Sequence, residues 1–266
     1  MADGTFRTAD GATISYTVDA RPGAPRVALL HSLALDRSIW DGVVERLGKH
    51  AEILTFDFRG HGRSEQRAGD YTAEGFADDL AQLLDHIDWK SATIAGCSMG
   101  GCVALAFAAR HAARVDALGL IDTTAWYGAE APKQFGERAA AAKAKGMRSL
   151  IDFQLTRWFS DKYRAENPDV LERIFGIFVA GDVDCYASSC ALLGAADIRG
   201  ALAGFRMPVA IVVGEEDYAT PIAMSQAMKD AIPQATMKIL MSGRHLTPIQ
   251  CPDEIAAELV DLLGRR

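Results

Sequence analysis

The sequence predicts an α/β protein with a mostly parallel sheet, on three observations. Short apolar runs, each long enough for one strand, alternate along the chain with stretches of helical spacing. Several of these runs are apolar at every position, which is typical of strands that helices cover on both faces. One run also leads through a tight Gly-x-Ser-x-Gly turn into a helix-forming stretch, as strands of α/β sheets do.

Most of the predicted strands lie in residues 1–123. Polar and apolar residues alternate around Asp10-Gly11 over residues 5–18, which predicts a hairpin at an antiparallel edge of the sheet. The buried strands predicted after the hairpin are 27–30, 53–56, 92–95 and 117–121, and the amphipathic helices between them are 36–47 and 71–87.

The alternation stops over residues 124–204 and resumes after them. This stretch is helical in pattern, rich in alanine and charge, and contains no convincing buried strand. The strands predicted beyond it are 209–213 and 237–240, with helices after Pro221 and near 254–263. We therefore expect a core of residues 1–123 and 205–266 with residues 124–204 inserted as a helical lid, which would exclude water and shape a pocket.

The composition excludes several classes of protein. A net charge of -7 without a basic run argues against nucleic acid or an anionic membrane as partner. The sequence has no run of 18 apolar residues and no signal-peptide pattern, so we expect neither a membrane span nor secretion. Five cysteines without metal-ligand spacing favour reduced thiols in the cytoplasm. We expect a small-molecule substrate, no metal and no cofactor, with monomer and homodimer both open.

Ser98 is the candidate nucleophile because it lies at the centre of the tight turn. Glycines at positions 96 and 100 allow a turn so sharp that side chains there would collide. The Ser98 hydroxyl would then project from the carboxyl end of a strand, beside the positive end of the following helix. A serine hydroxyl is a poor nucleophile unless a neighbouring base removes its proton.

His245 is the candidate base, and Asp217 the candidate acid that orients it. In this strand–turn–helix context the order along the chain is serine, acid, histidine, and His245 alone among the six histidines lies after the last predicted strand. Asp217 follows the strand 209–213 and so lies at the same edge of the sheet. Two alternatives stay open: Asp217 as a helix cap, and Asp122, at the end of the preceding strand, as the acid.

Acyl transfer also needs two hydrogen-bond donors for the oxyanion. We expect one to be the backbone N–H of Met99, directly after the nucleophile, and the other the N–H of Leu33 in the loop after the strand 27–30. The Ser32 hydroxyl either joins this network or closes the turn. His31 and the charged loop beginning at Asp57 are expected to have structural roles.

Four segments together resemble the α/β-hydrolase family over nearly the whole chain. They are Asp-x-Arg-Gly-x-Gly-x-Ser at 57–64, Gly-x-Ser-x-Gly-Gly at 96–101, Gly-x-x-Asp-x-x-x-Pro at 214–221 and Gly-x-His at 243–245. The resemblance implies the α/β-hydrolase fold and a cofactor-independent serine hydrolase of small esters or lactones.

More narrowly, the chain resembles bacterial 3-oxoadipate enol-lactonases of the β-ketoadipate pathway of aromatic catabolism. The matching segments are 32–33, 146–147, 157–159, 186–188 and 197–200. Two segments depart from that family: Leu30-His31-Ser32-Leu33-Ala34 replaces Ser-Asn-Ser-Leu-Gly, and Phe135-Gly136-Glu137-Arg138 replaces Trp-x-x-Arg. The departures concern the substrate rather than the reaction type.

An enol-lactone that carries a carboxylate would need a local cation in a protein of net negative charge. Arg138 is the candidate, with a solvated helix charge as the alternative. We expect substrate contacts from Ser32, Trp126, Phe135, Arg138 and Trp158. The other functions that the sequence leaves open are a general carboxylesterase, a C–C bond hydrolase of ring-cleavage products, and a binding protein that kept the fold without catalysis.

Overall fold

An eight-stranded sheet forms the centre of the structure, a computed structural model that describes residues 2–265. Its strands are β1 (Ala2–Arg7), β2 (Thr13–Asp19), β3 (Arg26–Leu30), β4 (Glu52–Phe56), β5 (Ala92–Cys97), β6 (Val115–Ile121), β7 (Val209–Gly214) and β8 (Ala235–Leu240). They stand in the order β1-β2-β4-β3-β5-β6-β7-β8. Only β1 with β2 and β2 with β4 pair antiparallel. The mostly parallel sheet with an antiparallel N-terminal edge is therefore confirmed.

Helices connect the strands and cover the sheet. They are α1 (Asp41–Leu47), α2 (Ala73–His86), α3 (Met99–Arg110), α4 (Ala131–Lys145), α5 (Ile151–Trp158), α6 (Asp161–Glu166), α7 (Pro168–Ala180), α8 (Val183–Ala195), α9 (Ile222–Ala231), α10 (Thr247–Gln250) and α11 (Pro252–Gly264). Helix α3 packs against β3, β5 and β6 and against α2, while α11 packs against β6, β7 and α1. Every residue of β5 and β7 is buried, because helices cover both faces of the sheet there.

Helices α4 to α8 all lie between β6 and β7, in the stretch where the alternation of strands and helices stops. Helix α4 packs along α8, and α5 contacts the short 3-10 helix Met147–Leu150 that precedes it. The two ends of this stretch are joined by a bridge between Trp126 and Asp197 and by a hydrogen bond of 2.9 Å from Ile198 N–H to the Ala125 carbonyl. Below, residues 124–204 are called the helical segment.

The predicted helix over 36–47 is divided in the structure. A 3-10 turn, Arg37–Trp40, precedes α1, and the Asp36 carboxylate accepts the Ser38 N–H at the start of that turn. The carboxylate of Asp57, a buried residue directly after β4, accepts a hydrogen bond of 2.8 Å from the Arg37 N–H. The same carboxylate accepts the Arg63 N–H at 2.9 Å, so Asp57 joins the loops that follow β3 and β4.

No single helix in residues 2–265 is long and apolar enough to cross a membrane, although the bent pair α7 and α8 together meets the criteria of length and composition. All five cysteines are free thiols, four of them buried.

His31, directly after β3, and His61, in the loop after β4, are both buried as neutral imidazoles. His31 Nε2 accepts the Phe58 N–H at 3.0 Å, so its protonated Nδ1 donates to the Ser32 carbonyl at 2.8 Å. The two rings lie 5.1 Å apart between centroids. Burial lowers the pKa of His31 to about 4, and burial followed by the charge of His31 lowers the pKa of His61 to about 3.

The lowered pKa values of His31 and His61 predict that the stability of the folded protein depends on pH. Because their pKa values are lower in the folded protein, the unfolded chain binds more protons below about pH 6.5, and the stability present at pH 7 is lost as the pH falls toward 4. We expect His61→Gln to flatten this loss by about 1.4 kcal/mol per pH unit. Urea unfolding between pH 7 and 4.5 measures it, with the exposed His50→Gln as control; equal slopes for the two variants would refute the interpretation.

Candidate active site

The turn between β5 and α3 holds Ser98 in a conformation that side chains rarely adopt. Its φ is 54° and its ψ is -116°. A Cβ on Gly96 would lie 2.1 Å from the Gly100 carbonyl oxygen, and a Cβ on Gly100 would lie 2.3 Å from the Leu30 oxygen. Both positions therefore require glycine, as the motif predicts. The Ser98 backbone is also held from the neighbouring strand end, where Thr123 Oγ1 donates to its carbonyl at 2.7 Å.

A continuous hydrogen-bonded chain leads from Ser98 through His245 to Asp217. Ser98 Oγ lies 2.9 Å from His245 Nε2, and His245 Nδ1 lies 2.8 Å from Asp217 Oδ2. All three residues are nearly buried, with 4%, 4% and 3% of their surface exposed. The serine, histidine and aspartate selected from the sequence are thus brought together at the carboxyl edge of the sheet.

The Asp217 carboxylate is fully surrounded by donors. Its Oδ1 accepts the N–H groups of Ala219 and Thr220 at 2.7 and 2.9 Å, and its Oδ2 accepts the Thr220 hydroxyl at 2.8 Å besides the imidazole. Burial raises the pKa of Asp217, but the charge of His245 and these hydrogen bonds outweigh burial, and the pKa lies below its ordinary value. Asp217 therefore stays ionised and can stabilise an imidazolium.

Asp122, the alternative acid, lies next to this chain but binds other groups. Its Oδ1 accepts the Gly214 N–H at 3.1 Å, and its Oδ2 accepts the Thr247 N–H and hydroxyl at 2.9 and 2.6 Å. Burial, followed by the charge of Asp217, raises the pKa of Asp122. The geometry places Asp217 and not Asp122 on His245, and Asp122 instead joins the end of β7 to the start of α10.

The two expected oxyanion donors come from adjacent backbone segments. Met99 begins α3, where the first N–H groups of a helix have no acceptor within the helix. Leu33 lies in the loop after β3 and lines the same cavity as Ser98. The close approach of Gly100 to the carbonyls of Leu30 and His31 places the first turn of α3 directly against this loop. The assignment of these two N–H groups as oxyanion donors stays a prediction.

A cavity of about 250 Å³ opens beside Ser98 and His245. Its walls combine the loop after β3, the helical segment and the loop after β7: Ser32, Leu33, Tyr127, Gln134, Phe135, Arg138, Gln154, Arg157, Trp158, Leu193, Tyr218, Ala219, Pro221 and Met224. Four of the five expected substrate contacts, Ser32, Phe135, Arg138 and Trp158, line it. The structure does not bring Trp126 to the cavity, because its backbone pairs with Asp197 and its indole lies under the Arg199 guanidinium at 3.7 Å.

A family model described as the alpha/beta hydrolase fold matches residues 25–250, most of the chain. The chain is an α/β-hydrolase. The resemblance stated from its motifs is therefore confirmed.

Its relatives include lactonases and esterases. This hydrolase is 29% identical over 244 residues to 3-oxoadipate enol-lactonase 1 of Acinetobacter baylyi, covering 92% of this chain and 90% of the relative. The solved enol-lactonase from Burkholderia xenovorans LB400 superposes with a TM-score of 0.93 at 34% identity, over 98% of this chain and 100% of that one. A pimeloyl-[acyl-carrier protein] methyl ester esterase of Yersinia pseudotuberculosis is 26% identical over 86% of this chain and 90% of the relative. The hydrolase thus belongs among ester and lactone hydrolases.

Several residues of the cavity were not expected from the sequence, and Arg157 is the most informative. Its guanidinium lies 4.9 Å from the Phe153 ring centroid, and Arg138 lies 5.1 Å from the same ring on α5. Within residues 2–265 neither arginine forms an ion pair with a carboxylate. Burial and then the charge of Arg138 lower the pKa of Arg157. Two cations that form no ion pair with a described carboxylate therefore line one cavity.

Helical spacing is the signal that could have identified these residues. Gln154 and Arg157 are three residues apart, as are Phe135 and Arg138, so each pair lies on one face of its helix beside a predicted aromatic contact.

In the part of the chain that the structure describes, no group of three or more histidine, cysteine or acidic side chains could hold a metal ion.

The glycine turn can be tested by two matched substitutions. In Gly100→Ala the new methyl would lie 2.3 Å from a backbone oxygen, and we expect the hydrolase to lose more than about 3 kcal/mol of stability or to fail to fold. Gly136→Ala, inside α4 with no atom within 4 Å of the new methyl, should instead stabilise by about 1 kcal/mol. Thermal unfolding compares them, and a Gly100→Ala protein as stable as the parent would contradict the turn geometry.

Proposed function

We propose that this hydrolase opens a small lactone or ester through an acyl-enzyme on Ser98, with 3-oxoadipate enol-lactone as its substrate. The observation that carries the proposal is the hydrogen-bonded chain Ser98–His245–Asp217 at a cavity that also contains two arginines with no ion-pair partner among residues 2–265. This series of hydrogen bonds supports covalent hydrolysis in which Ser98 is the nucleophile. The arginines, together with the lactonase relatives, support a substrate that bears a carboxylate.

In the acylation step Ser98 Oγ attacks the lactone carbonyl carbon while His245 Nε2 takes the hydroxyl proton. The carbonyl oxygen becomes an oxyanion that accepts hydrogen bonds from the N–H groups of Leu33 and Met99. When the tetrahedral intermediate collapses, the ring C–O bond breaks and the enolate oxygen leaves. His245 returns its proton to that oxygen, and the opened chain stays bound to Ser98 as an ester.

Deacylation uses the same groups in reverse. His245 removes a proton from water as the water oxygen adds to the acyl carbonyl, and the second tetrahedral intermediate is held by the same two N–H groups. The bond to Ser98 Oγ then breaks, and Oγ recovers its proton from His245. Asp217 keeps the imidazole in the tautomer with a free Nε2 lone pair and balances its charge when it is protonated. Because an enolate leaves easily, substrate position rather than leaving-group expulsion governs specificity.

The arginine pair accounts for the binding of an anion by a protein of net charge -7. The overall field repels anions, so a carboxylate needs local cations. Arg138 and Arg157 both line the cavity, and the Phe153 ring lies beside both guanidinium groups. Arg157 is also positioned by donating to the Tyr218 carbonyl at 3.0 Å. A carboxylate on the substrate would bind here with hydrogen bonds assisted by charge.

The helical segment would act as the lid over a core formed by residues 1–123 and 205–266. It contributes Phe135, Arg138, Arg157 and Trp158 to the cavity, while the core contributes Ser98 and His245. The lid thus supplies substrate recognition, and the core supplies the bond-breaking groups.

Turnover of a defined substrate panel tests the proposal. We expect 3-oxoadipate enol-lactone to be hydrolysed with a kcat/KM at least tenfold above that of p-nitrophenyl acetate, and Ser98→Ala to lower kcat by at least about 10⁴-fold. Turnover of p-nitrophenyl esters without the lactone would assign a general carboxylesterase. Turnover of ring-cleavage diketo acids would assign a C–C bond hydrolase. Full activity of Ser98→Ala would refute the serine mechanism altogether.

The arginine pair predicts a loss that depends on the substrate's charge. Arg157→Met and Arg138→Met should each lower kcat/KM for the lactone carboxylate by about tenfold to a hundredfold, since a hydrogen bond to a charged group contributes about 1.5–3 kcal/mol. Neither should change kcat/KM for the methyl ester of the same lactone more than a few fold. Arg148→Met removes an exposed charge from the same helical segment and serves as control. Equal losses with the carboxylate and its methyl ester would exclude this role.

A further inference from the structure

Arg244, the residue before the proposed catalytic base, is a buried cation that binds the helical segment. Only 8% of its side chain is exposed. Its Nη1 donates to the carbonyl oxygens of Thr156 and Phe159, both at 2.9 Å, and lies 3.2 Å from the Asp161 carboxylate. These three acceptors lie at the end of α5 and the start of α6, directly around the cavity residue Trp158.

On its other side Arg244 binds the loop of the catalytic acid. Its Nη2 donates to Glu216 Oε2 at 2.7 Å, and its guanidinium lies 5.0 Å from the Tyr218 ring centroid. Glu216 precedes Asp217 just as Arg244 precedes His245. The Glu216–Arg244 ion pair and the Asp217–His245 hydrogen bond therefore join the same two loops.

Further hydrogen bonds join the histidine loop to the helical segment. Leu246 N–H, directly after His245, donates to the Trp158 carbonyl at 3.1 Å. Gln250 accepts the Ser160 N–H at 3.3 Å and donates to the Ser160 hydroxyl at 3.0 Å. The residues on both sides of His245 are thus bound to the residues around Trp158, which lines the substrate cavity.

We propose that Arg244 is a positioning residue that fixes His245 relative to Asp217 and to the Trp158 wall of the cavity, so that base, acid and wall keep one geometry. The proposal rests on the proposed function of Ser98 and His245. The planar guanidinium donates to carbonyl and carboxylate acceptors on two different segments, which an ammonium group cannot do with the same geometry. Loss of these bonds removes the contacts of the guanidinium with Thr156, Phe159 and Glu216 and leaves Gln250 as the side chain that joins the His245 loop to Ser160. A small displacement of a catalytic base is enough to lower the rate strongly.

Three variants test this role. Arg244→Met removes the guanidinium, Gln250→Met removes the second side chain of the junction, and Arg164→Met is the matched control, because Arg164 binds the same Asp161 carboxylate at 2.7 Å from within α6. We measure kcat and KM for p-nitrophenyl acetate, the second-order rate of labelling of Ser98 by a small alkyl fluorophosphonate, and the unfolding temperature.

We expect Arg244→Met to lower both kcat and the labelling rate by about tenfold to a hundredfold, with KM changed less than threefold. Gln250→Met should lower both rates by a smaller factor in the same direction, and Arg164→Met should leave them within twofold. A lower unfolding temperature with both rates unchanged would show a merely structural role and overturn the proposal.

The outcomes separate this inference from the proposed function. Failure of the parent hydrolase to react with the fluorophosphonate would refute the serine mechanism, whatever the variants do. A parent that is labelled, together with an Arg244→Met variant labelled equally fast, would refute the positioning role alone. If Arg244→Met does not fold, Gln250→Met decides: unchanged rates in that folded variant refute the role, and lowered rates support it.

Discussion

The structure depends on the parallel register of β5, β6, β7 and β8, which ends these strands at one edge of the sheet. Cys97 lies opposite Ile121, Ile121 opposite Val212, and Gly214 opposite Leu240. A functional or supporting side chain follows each of these strand ends. Residues separated by more than a hundred positions thus meet without any long-range signal in the sequence beyond the alternation of strands and helices.

The two buried carboxylates at this edge, Asp217 and Asp122, accept hydrogen bonds from different donors. Asp217 accepts three donors from its own loop and turns its remaining lone pair to the imidazole. Asp122 accepts the Gly214 N–H of β7 and the N–H and hydroxyl of Thr247, which joins the ends of β6 and β7 to the start of α10. In the proposed mechanism Asp217 takes part in the chemistry, while Asp122 supports the strand ends beside it.

The sequence predicts the core and the hydrogen-bonded chain well for one physical reason: strand periodicity determines where each loop begins. Ser98, Asp217 and His245 could each be located by counting from a strand. The helical segment has no such register, and its contacts follow from how helices pack. The Trp126 ring packs against the Arg199 guanidinium, which lies more than seventy positions later in the sequence. The contacts of Arg244 depend on the residue at which α5 ends. Local spacing indicates which residues share a helix face but not what that face meets.

The Asp217–His245 hydrogen bond is the interaction on which the proposed mechanism depends, and it is tested by comparing kcat for Asp217→Asn with kcat for Asp122→Asn. We expect Asp217→Asn to lower kcat by about 10⁴-fold in a folded protein, because the imidazole loses its charged partner and the group that fixes its tautomer. Asp122→Asn should lower stability while keeping kcat within about a hundredfold of the parent. An Asp217→Asn protein with parental kcat, with the large loss found in Asp122→Asn instead, would contradict the account.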